Sequence, residues 1–110
     1  MLKTLKSSEI KSILKQGQSF KTPHLIVVYR KNNLGFPRFA FIISRRFSKK
    51  AVIRNRVKRI IKEAIRLNNE LLKNLSYDIV LIPKKDIYTK KMTDLIQDIQ
   101  EIKRALESNA

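Results

Sequence analysis

Between Lys11 and Lys62 the chain carries fifteen Lys and Arg and not one Asp or Glu. From Glu63 to Ala110 it carries eight basic and eight acidic residues, so that part is formally neutral. The net charge of +16 is therefore a property of one half of the molecule. This constrains the fold more than any other feature. Like charges without counter-charges repel a compact state, and they attract a polyanion that offsets the repulsion. A bound nucleic acid is the partner that this half calls for.

The 110 residues suffice for one domain, 1–110, with a modest core, and an apolar fraction of 43% is compatible with folding. Two glycines and three prolines argue against a disordered basic tail. There is no cysteine, which excludes disulfides and thiolate metal sites, and the lone His24 cannot form a zinc site by itself. Apolar runs such as Leu25 to Tyr29 and Ile79 to Ile82 are too short to span a bilayer. Lys3 and Lys6 are followed by no long apolar core, unlike a secretory signal. The expectation is a soluble cytoplasmic protein with no membrane partner. Charge by itself leaves open an acidic membrane surface, a histone-like protein and a ribosomal protein.

Leu5, Ile10, Ile13 and Leu14 recur at helical spacing, Glu9 suits a first turn, and Gly17 suits the position past the end. They predict a short helix over 8–16, which must pack on something. LIVVY within His24 to Arg30 and FAFII within Arg38 to Ser44 predict strands, and Gln18 to Lys21 a shorter one. The polar link from Lys31 to Pro37 between the two longer strands suggests an antiparallel hairpin. Val57, Ile60, Ile61, Ala64, Leu71, Leu72 and Leu75 predict one amphipathic helix from Ala51 to about Leu75. Tyr77 to Ile82 reads as a strand closed by Pro83, and Lys91 to Leu106 as a last helix. An α/β (α+β) two-layer sandwich satisfies these stripes, with helices on one sheet face and the other face partly open.

The sharpest local signal is SRRFSKKAVIRNRVKRIIKEAIR, Ser44 to Arg66, with nine cations in the eighteen residues from Arg45 to Lys62. Arginine forks suit bidentate phosphate contact, and their planes stack on bases. Asn55 can read a base edge or a 2′-hydroxyl, or cap local backbone. Lys50, Arg54 and Arg56 fall near a helix N-terminus, where cations are unfavourable, which points to a use other than helix stability. A solvated, solubilising face is the bland alternative, and fifty residues without a carboxylate weigh against it. A membrane-surface helix is disfavoured because the apolar stripe holds Ile and Leu without Trp or Phe.

At this segment the chain resembles the protein subunit of bacterial ribonuclease P. The resemblance rests on Ser44-Arg45-Arg46, then Ala51, then Arg54-Asn55-Arg56-Val57-Lys58-Arg59, then Lys62-Glu63. Lys15-Gln16-Gly17, the Leu25 to Tyr29 strand, the Asn32 to Arg38 link and the YDIVLIP strand fall in matching places, so it covers nearly the whole chain. It implies a fold like domain 2 of ribosomal protein S5, in the order α-β-β-β-α-β-α, with a left-handed β-α-β crossover. Ordinary handedness rules predict the opposite hand. It also implies an endoribonuclease acting as a holoenzyme: with a catalytic RNA, the protein promotes removal of the 5′ leader from precursor tRNA. The implied partners are ribonuclease P RNA and precursor tRNA, the protein alone being monomeric. The implied cofactors are the catalytic RNA and Mg2+ held mainly by it.

Carried over residue by residue, the RNA-subunit contacts would be Lys49, Lys50, Arg54, Asn55, Arg56, Lys58, Arg59 and Lys62, with Arg45 and Arg46 alongside. A leader cleft would be lined by Ile10, Leu14, Val27, Tyr29, Phe41 and Ile43. Two cleft positions that are often aromatic in relatives are Ile10 and Leu14 here, which leaves apolar contact instead of stacking from that helix. Ala40 and Ser48 stand where relatives often carry glycine. Tyr29 reads equally as a stacking platform or a half-buried strand aromatic, and Phe41 likewise. His24 reads as a strand-end histidine.

A self-contained nuclease needs carboxylates for metal ions or a His acid–base pair. The basic half has neither, and Asp78, Asp86 and Asp94 are scattered over a strand, a loop and a helix. No catalytic residue and no metal ligand is therefore assigned to the protein. The rival reading is a non-catalytic structural RNA binder of ribosomal type, and after it a DNA-binding protein.

Overall fold

The computed structural model describes residues 3–108. Its first helix, α1, is Ser7–Gln16. The Glu9 carboxylate accepts the Lys6 backbone N–H at 2.9 Å and closes the helix start. Gly17 ends it: a Cβ there would stand 2.6 Å from the Ile13 carbonyl oxygen and 2.8 Å from that of Tyr29. Only glycine lets the chain pass so close and enter strand β1, Gln18–Lys21, at once.

Strand β2 is Leu25–Lys31, β3 is Arg38–Phe41 and β4 is Tyr77–Pro83. The sheet order is β1-β2-β4-β3. The expected hairpin between β2 and β3 is thus not formed: β4 lies between them, antiparallel to β2 and parallel to β3. The physical reason is that β4 is apolar on both faces and buried along nearly its whole length. Such a strand belongs in the middle of a sheet. The link from β2 to β3 instead crosses the start of β4. There Asn32 N–H donates to the Ser76 carbonyl at 3.1 Å, and Gly35 N–H donates to Ser76 Oγ at 2.9 Å. Gly35 adopts φ +82°, which favours glycine.

Between β3 and β4 runs α2, Ala51–Leu67. The expected continuation to Leu75 breaks at Asn68, whose side-chain amide donates to the Ala64 carbonyl at 2.8 Å and caps the helix end. A short α3, Asn69–Leu72, follows. The expected last helix divides into a 3-10 turn, Met92–Leu95, and α4, Ile96–Ser108. Another 3-10 turn, Lys85–Thr89, joins β4 to it.

Strand side chains alternate between faces, and two apolar clusters divide accordingly. On one face Val27, Tyr29, Phe39, Ile79 and Leu81 pack with Val57, Ile61, Ala64 and Ile65 of α2 and with Ile99 and Ile102 of α4. On the other face Val28, Ala40 and Val80 pack with Ile13 of α1. Helices therefore lie on both faces, where the sequence suggested one. Asp98 of α4 is fully buried and staples the β1–β2 turn, accepting Thr22 Oγ1 at 2.5 Å and the His24 N–H at 2.7 Å.

Candidate nucleic-acid interface

The basic constellation runs from the loop after β3 onto α2 and is mostly exposed. Arg45, Arg46, Lys49, Lys50, Asn55, Arg56, Lys58 and Arg59 are exposed, while Arg54 and Lys62 are half-buried. Among the described residues, none of the nine cations from Arg45 to Lys62 has a carboxylate partner. The start of α2 has no side-chain cap and no acid in its first turn. Positive charge is thus concentrated at the positive end of a helix dipole, an arrangement that an anion relieves. Local bonds stiffen the entry: Ser48 Oγ accepts the Lys50 N–H at 3.2 Å, and Arg54 Nη1 donates to the Ser48 carbonyl at 2.8 Å. Lys62 Nζ lies 5.9 Å from the centre of the Phe41 ring, so one cation of the cluster stacks on the sheet edge. Val52, 73% exposed, adds an apolar spot among the charges.

The residues expected in the cleft divide between the two sheet faces. Ile10 is half-buried beside the α1 cluster, and Leu14 is 44% exposed. Val27 and Tyr29 are buried on the opposite face, in the core under α2 and α4, and Phe41 and Ile43 pack against that core. Tyr29 makes edge contacts with Phe20 and Tyr77, and its hydroxyl donates to Gln18 Oε1 at 2.9 Å. These four positions are a correction, and its cause is strand parity. LIVVY is apolar at every position, so its composition does not say which side faces α1.

Three rungs of side chains face α1. The first is Arg30, Asp78 and Arg38, in register across β2, β4 and β3. The second is Val28, Val80 and Ala40, which seats Ile13. The third is Ile26 and Ile82, with Ile42 beside them, all half-buried. Lys21 of β1 pairs with Ile26 at the edge. The less enclosed part of this face is therefore the half-buried third rung, together with half-buried Ile10 and exposed Leu14 of α1. Ile26, Ile42 and Ile82 were not singled out in the sequence, yet a signal existed. Arg30, Arg38 and Asp78 share their parity, and a charged residue in an apolar strand marks the less enclosed face.

The first rung is an ionic network. Arg38 donates from Nε to Asp78 Oδ1 and from Nη2 to Oδ2, each at 2.8 Å. Its Nη1 lies 2.9 Å from Glu9 Oε2 on α1. Asn32 Nδ2 adds a bond to Asp78 Oδ1 at 3.0 Å. Burial pushes the Asp78 carboxyl up, but the Arg38 fork and the Asn32 amide outweigh it and hold it below its ordinary value. The Lys6 backbone N–H first, and then Arg38, hold the Glu9 carboxyl low as well.

The remaining carboxylates are mostly engaged locally. Glu63, Glu70 and Glu107 pair with Arg66, Lys73 and Lys103 on their own helices or turns. Asp94 accepts the Lys91 N–H at 2.8 Å, and Asp86 Oδ2 lies 3.1 Å from His24 Nδ1. The fold thus gives His24 a carboxylate neighbour that the sequence did not suggest. Among the described residues no three His, Cys, Asp or Glu side chains gather as metal ligands. The cationic surface itself carries no carboxylate and its many positive charges repel a cation, so it does not fit a protein-held magnesium site. No helix among the described residues is long and apolar enough to cross a membrane.

A family model described as Ribonuclease P matches residues 2–107. The chain is 31% identical over 104 residues to the ribonuclease P protein component of Pelotomaculum thermopropionicum, covering 94% of this chain and 91% of that one. It is 34% identical over 101 residues to that of Fusobacterium nucleatum, covering 88% and 89%. Its fold is similar to the solved RNase P protein of Thermotoga maritima, with a TM-score of 0.69 at 27% identity over 96% of this chain and 93% of that one. The Staphylococcus aureus RNase P protein gives 0.74 at 21% identity over 97% and 95%, a likeness of fold.

Proposed function

The chain belongs to the bacterial ribonuclease P protein family, and on that premise we propose how its surfaces serve the removal of the 5′ leader from precursor tRNA. It acts as the protein component of the holoenzyme, together with a catalytic RNA. The observation that carries the division of labour is the unpaired cationic surface from Arg45 to Lys62. Arg45, Arg46, Lys49, Lys50, Arg54, Asn55, Arg56, Lys58, Arg59 and Lys62 bind the RNA subunit. Their phosphate contacts release counterions, so assembly weakens as salt rises. The bare N-terminus of α2 receives a phosphate at its free N–H groups.

The leader lies in the groove between α1 and the sheet, on Ile10, Leu14, Ile26, Ile42 and Ile82. Apolar contact with base faces there is tolerant of sequence. Lys21, together with Arg45 and Arg46, supplies positive charge at its margins. The protein screens repulsion between two RNAs, holds the leader and raises local affinity. No residue of this chain holds a metal in this reading; divalent ions held by RNA phosphates would supply the activation of the hydrolytic water. The protein is a monomer when free and works in the cytoplasm.

Reconstitution tests this. The protein is mixed with a ribonuclease P RNA at near-physiological magnesium, and 5′ cleavage of precursor tRNA is followed. Stimulation over RNA alone is expected. No stimulation would sink the proposal, and cleavage by protein without RNA would overturn the assignment of chemistry to the RNA.

A further inference from the structure

Glu9 is the sole acid before residue 63, and it is not spent on solubility. Its Oε1 caps α1 and its Oε2 meets Arg38. Arg38 is shared between Glu9 on α1 and Asp78 on β4, so one guanidinium joins a helix and two strands. A second tie lies on the same rung: Arg30 Nη1 donates to Ser12 Oγ at 2.7 Å. The far end of α1 is fixed by the close passage of Gly17 against the Tyr29 carbonyl. The ten-residue helix is therefore pinned across the first rung and at its C-terminus, with Ile13 seated on the second rung. What remains only half-covered is the third rung, on the same face as Ile10 and Leu14.

We infer that Glu9 and Arg38 are positioning residues. Through the Glu9–Arg38–Asp78 network they set the distance between α1 and the third rung, and so the width of the groove offered to a single strand. The inference rests on the groove being the leader site. An apolar seat such as Ile13 fixes depth but not slide or tilt, because dispersion contacts carry no direction. A planar guanidinium held by two carboxylates does fix direction. Loosening it lets α1 shift along the sheet while its core contact persists. Neither side chain needs to touch the leader.

The test uses holoenzyme reconstituted with ribonuclease P RNA and two precursor tRNAs, one with a leader of several nucleotides and one with a single nucleotide. The ratio of their affinities isolates the leader's contribution. Glu9→Gln keeps the shape and the capping oxygen but removes the negative charge that faces Arg38. The long-leader advantage should fall by about three- to tenfold, the range a partly buried ion pair can supply. Affinity for the short-leader substrate, cleavage at saturation and RNA assembly should hold, and the melting temperature should fall only slightly, because solvent screens the Glu9 charge. Glu9→Asp, which restores the charge on a shorter stem, should recover part of the ratio. Ile42→Ser tests the groove itself in parallel. If Ile42→Ser lowers the ratio and Glu9→Gln does not, the positioning inference fails while the groove stands. If neither variant lowers it, both fail. Equal losses for the two substrates in Glu9→Gln would also overturn the inference, since they mark a merely structural role.

Discussion

The two faces of the sheet are built from the same strands and held by different physics. The face under α2 and α4 is sealed by aliphatic and aromatic packing, with Val27, Ile79 and Leu81 fully buried. The face under α1 has a charged rung, a small apolar seat and an open apolar rung. Hydrophobic burial is non-directional and scales with area, so it suits the sealed face, which has only to be stable. The open face has to be stable and also leave room, and it uses directed ion pairs to hold a helix away from part of the sheet. With the leader on the α1 face, as proposed, stability and function are divided by strand parity.

The largest expected effect breaks the sealed face. Ile79→Ala should cost about 2–5 kcal/mol in urea unfolding, the range for a buried aliphatic truncated to Ala. Ile82→Ala, three residues on but half-exposed on the α1 face, should cost about 1 kcal/mol or less. Equal losses would erase the distinction between the faces.

Next in size is the cationic surface. The triple replacement of Arg54, Arg56 and Arg59 by Ala should weaken binding to the RNA subunit by roughly 10- to 100-fold at moderate salt. The slope of log affinity against log salt should flatten by about two to three, while the melting temperature falls only modestly, through loss of the Arg54–Ser48 bond. Binding isotherms at several salt concentrations check this, and an unaltered slope would remove these arginines from the interface.

A smaller effect concerns the charged rung. The folded pKa values of Glu9 and Asp78 are both depressed. Their stabilisation is therefore complete above the ordinary carboxylate range near pH ~4 and is lost as pH falls through the lower folded values. Acid titration of stability should show this loss for the native chain and a weaker one for Asp78→Asn. The smallest effect is expected at Tyr77, whose hydroxyl is buried with no hydrogen-bond partner among the described residues. Tyr77→Phe should shift stability by no more than about 0.5 kcal/mol, or raise it slightly, because no bond is lost.

The separation of faces also explains what the sequence disclosed. The three-four spacing from Val57 to Ala64 and the acid-free run were legible because helix periodicity and charge are local properties. The Arg54-Asn55-Arg56 surface followed directly from them. Strand neighbours were not legible: a short polar link between LIVVY and FAFII looks like a hairpin, and only the two-sided burial of β4 sends it to the centre. Nor was the face of Val27 against Val28, since both are valine. The Arg38–Asp78 pair spans forty residues, and the Thr22–Asp98 pair spans seventy-six. No local pattern announces contacts at that separation. The break at Asn68 was hidden because Leu71, Leu72 and Leu75 continue the apolar spacing past it.

The most direct test places a photoreactive side chain at three positions of the reconstituted holoenzyme: Leu14 and Ile42 on the groove, and Phe20 on the sealed side of β1. Crosslinks from Leu14 and Ile42 to leader nucleotides, with none from Phe20, are the predicted result. Crosslinks from Phe20 with none from Leu14 or Ile42 would contradict it and put the leader on the opposite face.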